Sequence, residues 1–376
     1  MKIILLTNGI YPFVIGGMQK HSYYLAKHFS KQGIIVDVYH PGTYLEEAVN
    51  LEVYFEKEEL ENINFIEVFF PKGAKFPGHY IYASYLYSKA LFKKIGILNE
   101  SSFVYAQGFT SWYFLKKHPF QNNLISNLHG LEMFQKTIDF RNKLEQFLLK
   151  IPARTIIKKS NKQVSLGGKL TDILYQNGAR LNSVVEIPNG IDSTWLIEKK
   201  EIKCTNKIPK LIFIGRNERR KGILEFQKVI LETIPALGYE VLFIGPIPKE
   251  EQIIHPNVNY FGVIKDISLI KSQLLAADVL VCPSYSEGMP TVILEAMACG
   301  CAIIATDVGA VNTMVDDSNG WLIKGDIVLG LKEAIKSVMQ GSDETLLLKK
   351  NNSIEKVTNL FTWEKVITTT INEIKR

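Results

Sequence analysis

Short apolar runs alternate along the chain with longer segments of helical periodicity. The first run, Ile3 to Thr7, is followed by a helical pattern from about Met18 to Lys31 and a second run from Ile34 to Tyr39. Runs of four or five apolar residues without alternation are typical of strands buried on both faces. Their alternation with helices predicts a parallel α/β sheet.

The same pattern begins again in the second half of the chain. Its apolar runs lie at 210–215, 240–245, 258–261, 278–283 and 302–306. Between the halves, the segment Glu198 to Pro209 is polar and charged, which is typical of a linker or loop. The pattern predicts two doubly wound parallel-sheet domains, with ligands held at the carboxyl ends of the strands in an inter-domain cleft.

Length and composition agree with a two-domain soluble protein. The chain has 376 residues, of which 46% are apolar and 22% are charged. No apolar run reaches the roughly 18 residues that suggest a membrane span. The run after Lys2 is too short for a signal peptide, and we interpret it as the first strand. The four cysteines, Cys204, Cys282, Cys299 and Cys301, predict reduced core thiols of a cytoplasmic enzyme rather than disulfides or a metal site.

The net charge of +6 is concentrated in one segment. From Lys72 to Arg180 there are 17 Lys and Arg residues against five acids. The segment also carries the aromatic residues Phe76, Tyr80, Tyr82, Tyr85, Tyr87 and Phe92. Cations beside amphipathic aromatic rings suit an anionic membrane surface, whereas a solvated basic face over core tyrosines is the alternative, and both stay open. No nucleic-acid motif accompanies the charge, so we expect no nucleic-acid partner.

A pair of glutamates, Glu287 and Glu295, is the strongest candidate for chemistry. An apolar run precedes the pair, a Ser/Gly/Pro cluster predicts a loop, and Thr291 to Ala298 predicts a helix. We expect Glu287 before the helix and Glu295 two turns into it. A helix N-terminus offers unpaired N–H groups and a positive dipole end, so a phosphate bound there would have a carboxylate on either side.

Other candidate residues follow predicted strands. Gly16 and Gly17 precede the first helix, where adjacent glycines let backbone N–H groups approach an anion, although an ordinary tight turn is the alternative. Arg216 and Lys221 flank a loop after the first strand of the second half, where two cations can converge on one diphosphate. His129 can hydrogen-bond a ligand or transfer a proton. A nicotinamide-type dinucleotide site is disfavoured, since no G-x-G-x-x-G motif follows the first strand.

Taken in order, these motifs resemble those of retaining glycosyltransferases of the GT-B fold, family GT4. The matching segments are Gly16–Gly17, His129–Gly130, Pro188–Asp192, Gly215–Arg216, Lys221–Gly222, Phe261–Gly262, Glu287–Ala298 and Phe361–Trp363. The resemblance implies two Rossmann-like domains. The first, 1–190, would bind the acceptor, and the second, 191–360, would bind a nucleotide-sugar donor. A final helix at about 361–376 would pack back on the first domain.

The resemblance also implies a role for each site residue. Arg216 and Lys221 would bind the donor diphosphate, and Glu295 would accept hydrogen bonds from the ribose. Glu287 would hold the sugar hydroxyls and face the anomeric carbon, and His129 would lie near the transferred sugar. The remaining donor contacts would come from the backbone of Gly17, Gly262, Val263, Gly288, Met289, Pro290, Thr291 and Val292. The motifs identify no acceptor-binding residue.

Two features depart from the family pattern or qualify it. Where the family often has Gly-x-Gly, this chain has Gly245-Pro246-Ile247-Pro248. There is no Asp-x-Asp motif, so Arg and Lys would neutralise the leaving diphosphate in place of a metal ion. We therefore expect neither a metal nor a cofactor.

The resemblance predicts a hexosyltransferase-type enzyme that acts with retention of configuration. It would move a sugar from a UDP- or GDP-type donor to a hydroxyl of a glycan or lipid-linked acceptor, in cell-surface polysaccharide or glycolipid synthesis. We expect a cytoplasmic protein, peripheral on the inner face of the cell membrane. The alternatives are a non-catalytic sugar-nucleotide-binding protein or a membrane-associated scaffold of the same fold. A glycan phosphorylase or an epimerase fits the glutamate pair poorly.

Overall fold

A computed structural model describes residues 2–14, 16–42, 49–71, 78–96, 98, 102–136, 141–198, 208–233 and 238–376, with the side chains of 141–143 left out. Ile15, Lys72, Lys75, Phe76, Glu100, Asp139, Cys204 and most of the predicted linker lie outside the described residues. The chain forms two compact units. The first comprises Met1–Phe134, Phe140–Asn189 and Trp363–Arg376, and the second comprises Gln135–Asp139 and Gly190–Thr362.

The first unit contains a seven-stranded parallel sheet in the order β3-β2-β1-β4-β5-β6-β7. Its strands are β1 (Lys2–Leu6), β2 (Ile35–His40), β3 (Ile63–Glu67), β4 (Ser102–Gln107), β5 (Leu124–Asn127), β6 (Lys162–Ser165) and β7 (Val184–Glu186). The order confirms the predicted doubly wound sheet. The central strands β1, β4 and β5 are almost fully buried, as the apolar run at Ile3 to Thr7 predicted for β1.

Helices cover both faces of this sheet and close two hydrophobic cores. They are α1 (Gly17–Lys31), α2 (Lys57–Leu60), α3 (His79–Ile95), α4 (Trp112–Lys117), α5 (Arg141–Lys159), α6 (Lys169–Gln176) and α13 (Trp363–Lys375). One core includes Phe29 and Leu25 of α1 together with Trp363 and Ile367 of α13. The last helix therefore belongs to the core of the first unit. The other core lies on the opposite face, around Tyr87, Phe114 and Ile156.

The second unit repeats the design with six parallel strands in the order β10-β9-β8-β11-β12-β13. They are β8 (Lys210–Ile214), β9 (Glu240–Ile244), β10 (Val258–Tyr260), β11 (Val279–Cys282), β12 (Ala302–Thr306) and β13 (Gly320–Ile323). The helices are α7 (Ile223–Thr233), α8 (Ile267–Ala276), α9 (Thr291–Ala298), α10 (Val311–Met314), α11 (Ile327–Gln340) and α12 (Asp343–Leu360). A core around Phe213, Phe226 and Phe243 fills the space between the sheet and α7.

The described cysteines are free thiols of the second unit. The thiols of Cys282, Cys299 and Cys301 are buried, and burial raises the pKa of Cys282 to about 11 and that of Cys299 to about 12. Reduced core thiols were predicted at these positions.

Among the described helices, none combines the length and the apolar character that a membrane span requires.

Candidate active site

In the second sheet, β9 and β10 are added on one side of β8, and β11, β12 and β13 are added on the other side. The strand order therefore reverses between the neighbouring strands β8 and β11. Loops after two such strands lead away to opposite faces of the sheet and leave a crevice, where doubly wound proteins bind their ligands. In this unit the two loops are 215–222 and 283–290. They carry Lys221 and Glu287, so the fold brings together two residues that lie 66 positions apart.

The Glu287 side chain lies in this crevice among three donors. Its exposed fraction is 5%. Lys221 Nζ donates to Oε1 at 2.6 Å, and Ser284 Oγ donates to the same oxygen at 2.7 Å. Arg220 Nη1 lies 3.6 Å from Oε2. A buried carboxylate needs such partners to offset its lost hydration, so the site is built to keep negative charge at this point.

The contacts of Lys221 and Arg216 differ from the simplest form of the predicted diphosphate clamp. Lys221 contacts Glu287, whereas Arg216 forms an ion pair with Glu218 at 2.9 Å, and its side chain is 70% exposed. The second cation near Glu287 is Arg220, which sequence reasoning missed. Arg220 lies in a run of three basic residues, and nothing in the sequence distinguishes the one that turns toward the crevice.

A further ion pair fastens the loop after β8 to the loop after β11. Arg219 donates twice to Glu225, at 2.8 and 2.6 Å, and the Tyr285 hydroxyl donates to Glu225 at 2.8 Å. The bond to Glu225 raises the pKa of Arg219. The backbone N–H of Tyr285 donates to the carbonyl of Arg220 at 2.7 Å. These contacts hold the backbone beside Lys221 and Glu287, and sequence reasoning did not identify them.

Glycines allow close backbone approach around the same crevice. At Gly309, with φ of +54°, an added Cβ would lie 2.2 Å from the carbonyl oxygen of Glu287 and 2.4 Å from that of Gly288. At Gly222, with φ of +70°, it would lie 1.9 Å from the carbonyl oxygen of Pro283. Ala310 N–H also donates to Gly288 at 2.8 Å. Only glycine fits at 222 and 309 without moving the loop that carries Glu287.

The helix after this loop begins at Thr291 as predicted, but the expected position of Glu295 was wrong. Helix α9 starts at Thr291, so Glu295 is its fifth residue. At 3.6 residues per turn this is little more than one turn into the helix, not two. Glu295 is half-buried, while Met289 before the helix is buried. The residues from Gly288 to Val292 thus form the turn that leads into α9.

The loop of Gly262 and Val263, predicted to contact the donor through its backbone, lies beside the Gly245 loop, which in turn packs on the loop that carries Arg216. Gly245 N–H donates to the carbonyl of Gly262 at 2.8 Å, and Val263 is exposed. At Gly245, with φ of +150°, an added Cβ would lie 1.9 Å from the carbonyl oxygen of Gly215. The single glycine of Gly245-Pro246 is therefore required by close packing of two loops.

In the first unit, His129 packs against a second histidine that sequence reasoning missed. The rings of His129 and His21 meet edge to face with centroids 5.0 Å apart. Gln107 Nε2 lies 3.0 Å from His21 Nδ1, and Ser22 Oγ donates to Gln107 at 2.5 Å. These groups come from α1, from the end of β4 and from the loop after β5. His21 is on the buried side of α1, where helical periodicity alone indicates a core residue.

Burial keeps both histidines neutral at neutral pH. It lowers the pKa of His129 to about 4, and it lowers the pKa of His21 well below its ordinary value, with the nearby His129 adding to the effect. His129 Nε2 is buried and has no hydrogen-bond partner among the described residues. Its backbone has a φ of +56°. A neutral imidazole with an unused nitrogen suits hydrogen bonding to a hydroxyl better than proton transfer.

The basic segment contains exposed apolar residues that the sequence reading passed over. On α5, the side chains of Leu144, Phe147 and Ile151 are exposed, at a spacing that places them on one helix face. Arg154, also exposed, continues this face. The aromatic residues divide: Tyr87 is in the core, whereas Tyr82 on α3 is 56% exposed. The alternative of core tyrosines therefore holds for Tyr87 and fails for Tyr82.

Comparisons with known proteins give the same class of protein as the fold and the crevice. A family model for Glycosyltransferase Family 4 matches residues 15–195, and a model for glycosyl transferases group 1 matches residues 208–341. The chain is 24% identical to the uncharacterized glycosyltransferase MJ1178 of Methanocaldococcus jannaschii over 375 residues, which cover 97% of this chain and 95% of that protein.

One relative is more similar over a shorter region, and one solved structure shares the fold. The chain is 36% identical to the putative teichuronic acid biosynthesis glycosyltransferase TuaC of Bacillus subtilis over 126 residues, which cover 33% of this chain and 31% of that protein. The structure of Anabaena Alr3699/HepE in complex with UDP-glucose superposes with a TM-score of 0.69 at 14% identity, covering 100% of this chain and 99% of that one. At this identity the likeness shows the fold alone.

Two parallel sheets of this winding, with charged groups at the switch point of the second, define a GT-B protein. The chain belongs to glycosyltransferase family 4, within the glycosyl transferases of group 1. This confirms the family and fold that the motifs predicted.

Proposed function

We propose that the chain is a retaining glycosyltransferase that moves a hexose from a UDP- or GDP-type nucleotide sugar to a hydroxyl acceptor. The observation that carries the proposal is Glu287, a buried carboxylate held by Lys221, Ser284 and Arg220 in the crevice of the second sheet. The proposal is supported by the family and by the UDP-glucose bound to the related fold of Anabaena HepE.

In this reaction the bond between the anomeric carbon and the diphosphate breaks, a bond to the acceptor oxygen forms on the same face of the sugar, and the hydroxyl proton passes to the leaving diphosphate. The transition state resembles an oxocarbenium ion, which a fixed carboxylate stabilises. Glu287 would supply that charge. Lys221, Arg220 and the start of α9 would supply the opposite charge for the leaving diphosphate, so the proposal includes independence from metal ions. Glu295 would bind the ribose, and the roles given to Arg216, Gly17 and His129 stay predictions.

The central test replaces Glu287 by Gln, which keeps the shape and hydrogen-bonding reach of the side chain and removes its charge. Purified protein is screened by thermal shift against UDP-, GDP- and ADP-sugars, and the stabilising donor is used in a transfer assay with and without EDTA. A donor present at about 100 times its dissociation constant stabilises by about 2.7 kcal/mol. We expect turnover of Glu287→Gln to fall at least about a thousandfold, or about 4 kcal/mol. Glu333→Gln, at an exposed position of α11, is the matched control.

Near-normal turnover by Glu287→Gln would refute its catalytic role, and loss of transfer with EDTA would refute metal independence. Donor binding without transfer to any acceptor would favour the alternative of a sugar-nucleotide-binding protein.

For the acceptor, we propose a glycan or a lipid-linked saccharide, used in polysaccharide or glycolipid synthesis. The relative TuaC, by its name, serves teichuronic acid biosynthesis. The exposed face of α5, with Leu144, Phe147, Ile151 and Arg154, supports a protein that is cytoplasmic and peripheral on an anionic membrane. Cations beside exposed apolar side chains are what such a surface attracts.

Vesicle sedimentation tests this location. We expect binding to phosphatidylcholine vesicles that contain phosphatidylglycerol, little binding without it, and weaker binding at high salt. The double variant Leu144→Ser with Phe147→Ser should lose most of this binding. Leu348→Ser, at an exposed position of the second unit, is the control. Equal binding by all variants would refute the role of the α5 face.

A further inference from the structure

A groove of about 1070 Å³ lies at the amino ends of β4, β5 and β6 in the first unit. Ser102, Asn123 and Lys162, at or next to the starts of these strands, line it. The motif residues Gly17 and His129 belong to the opposite, carboxyl edge of the same sheet. The groove is therefore separate from the candidate active site.

The groove is basic throughout. Its lining contains Lys117, Lys162, Lys375 and Arg376, and no acidic side chain lines it among the residues that the structure describes. Two of these cations are held by Glu373: Lys162 Nζ donates to its carbonyl at 2.5 Å and Arg376 Nη1 to its carboxylate at 2.8 Å. Lys117 and Lys375 form no ion pair with any described residue. Two cations without acidic partners in one groove favour an anionic ligand.

Side-chain amides line the groove together with these cations. Gln121, Asn122, Asn123 and Asn161 all line the groove. Asn161 donates to Asn122 at 2.7 Å and accepts from Arg180 at 2.7 Å, and Asn123 donates to the carbonyl of Ser102 at 3.1 Å. Each amide carries two donors and a two-lone-pair acceptor, so these bonds leave further hydrogen-bonding capacity. Such groups suit a ligand rich in hydroxyls.

The aromatic ring of Phe120 lines the groove, and the backbone at this residue is strained. Phe120 has a φ of +61° and its side chain is 44% exposed. Positive φ is costly for a bulky residue, and such strain persists where surrounding structure holds it. The Arg180 guanidinium lies 4.3 Å from the ring centroid. An exposed ring next to amides offers an apolar surface against which the C–H face of a pyranose packs.

We propose that this groove is a second saccharide-binding site, for a segment of an anionic glycan that carries carboxylate or phosphate groups. The cations bind its charges, the amides bind its hydroxyls and Phe120 packs against a sugar ring. Single-stranded nucleic acid is disfavoured, because its binding uses several aromatic platforms for successive bases, and Phe120 is the one exposed phenyl ring among the described lining residues. The proposal does not rest on the proposed catalysis.

The test is equilibrium binding of fluorescein-labelled hexagalacturonate to the full chain, followed by fluorescence anisotropy, with labelled maltohexaose as the neutral partner of equal length. We expect saturable binding of the hexagalacturonate only. The double variant Lys117→Gln with Lys375→Gln should bind at least tenfold more weakly. Phe120→Asn should bind about fivefold more weakly while keeping its melting temperature, because asparagine tolerates positive φ. Lys93→Gln, an exposed cation elsewhere in the unit, should bind normally.

Glu287→Gln separates the two proposals, since it should lose transfer and keep hexagalacturonate binding. Four results would overturn the second site: no binding of hexagalacturonate, equal binding of maltohexaose, unchanged binding by the lysine double variant, or tighter binding of a thymidine dodecanucleotide at the same groove.

Discussion

The two units wind their sheets in the same order but place opposite kinds of polar groups at the carboxyl ends of the strands. In the second unit, the buried carboxylate of Glu287 forms an ion pair with the half-buried Lys221. In the first, His21, His129 and Gln107 form a neutral cluster in which burial keeps the histidines uncharged. The winding fixes where a ligand binds, whereas the side chains decide its chemistry. A charged crevice suits a nucleotide diphosphate, and a neutral one suits hydroxyl groups.

After the loss expected for Glu287→Gln itself, the largest effect should come from the backbone that supports the charged crevice. Gly309→Ala would place a methyl group within 2.4 Å of two carbonyl oxygens of the Glu287 loop. The loop must move, and we expect transfer to fall about a hundredfold, since small misplacement of catalytic groups costs this much. Gly325→Ala is the control, because its φ is also positive, at +98°, but no atom lies within 4 Å. Equal loss in both variants would mean that the close contact at 309 is unimportant.

Removing the cation should destabilise the second unit and leave the first unchanged. Lys221→Met would leave Glu287 with Ser284 and Arg220 alone, and we expect the free energy of unfolding to fall by about 2–3 kcal/mol. Arg216→Met, which removes an exposed pair, should change it by less than about 0.5 kcal/mol. Differential scanning calorimetry would show both effects. Similar values for the two variants would contradict the distinction between the buried and the exposed pair.

Lowering the pH should destabilise the first unit through its neutral histidine cluster. The pKa of His129 in the folded state, about 4, lies below its usual value near 6.5, so the unfolded chain binds the proton more readily. Stability present at neutral pH is therefore lost as the pH falls from about 6.5 to about 4, by about 2 kcal/mol for His129 near pH 5.

His129→Asn should reduce this acid sensitivity, since asparagine tolerates the positive φ at this position. Melting temperatures of the variant and of the exposed-site control His79→Asn, measured between pH 7 and pH 4.5, would show it. An unchanged pH profile for His129→Asn would mean that the site accepts a protonated imidazole, which would break the comparison between the units.

The smallest effect should come from the hydroxyl group that orients the Glu287 carboxylate. Ser284→Ala removes one of its three donors, and we expect kcat to fall about tenfold, or about 1.4 kcal/mol, with little change in the KM for the donor. Ser286→Ala is the control, because Ser286 contacts Arg220 through its backbone carbonyl. A rise in KM with normal kcat would assign Ser284 to donor binding instead.

Much of the architecture could be predicted because it depends on local patterns. Apolar runs marked β1 and β2 of the first sheet and β8 to β12 of the second, and the Ser/Gly/Pro cluster placed the start of α9 at Thr291. The ion pair of Lys221 with Glu287 could not be predicted, since it joins residues 66 positions apart through the approach of two loops. The cluster of Arg219, Glu225 and Tyr285 could not be predicted for the same reason.

Surface features were the least predictable. The exposed residues of α5 have the spacing of a core-facing stripe, so their exposure is visible only once the helix is packed. For His21, in contrast, the spacing correctly indicates a buried residue but gives no sign of a site. It follows the buried face of α1, and only the end of β4 and the loop after β5 turn that face into a candidate site.

The path of the backbone has a consequence for synthesis on the ribosome. The chain leaves the first unit after Asn189 and re-enters it at Trp363, and at this double crossing Ile191 N–H donates to the carbonyl of Phe361 at 2.7 Å. Trp363, Val366 and Ile367 complete a core that begins with β1. The second unit is thus an insertion within the first. The core of the first unit cannot close until the whole of the second unit has been synthesised, because Trp363, Val366 and Ile367 follow it in the chain.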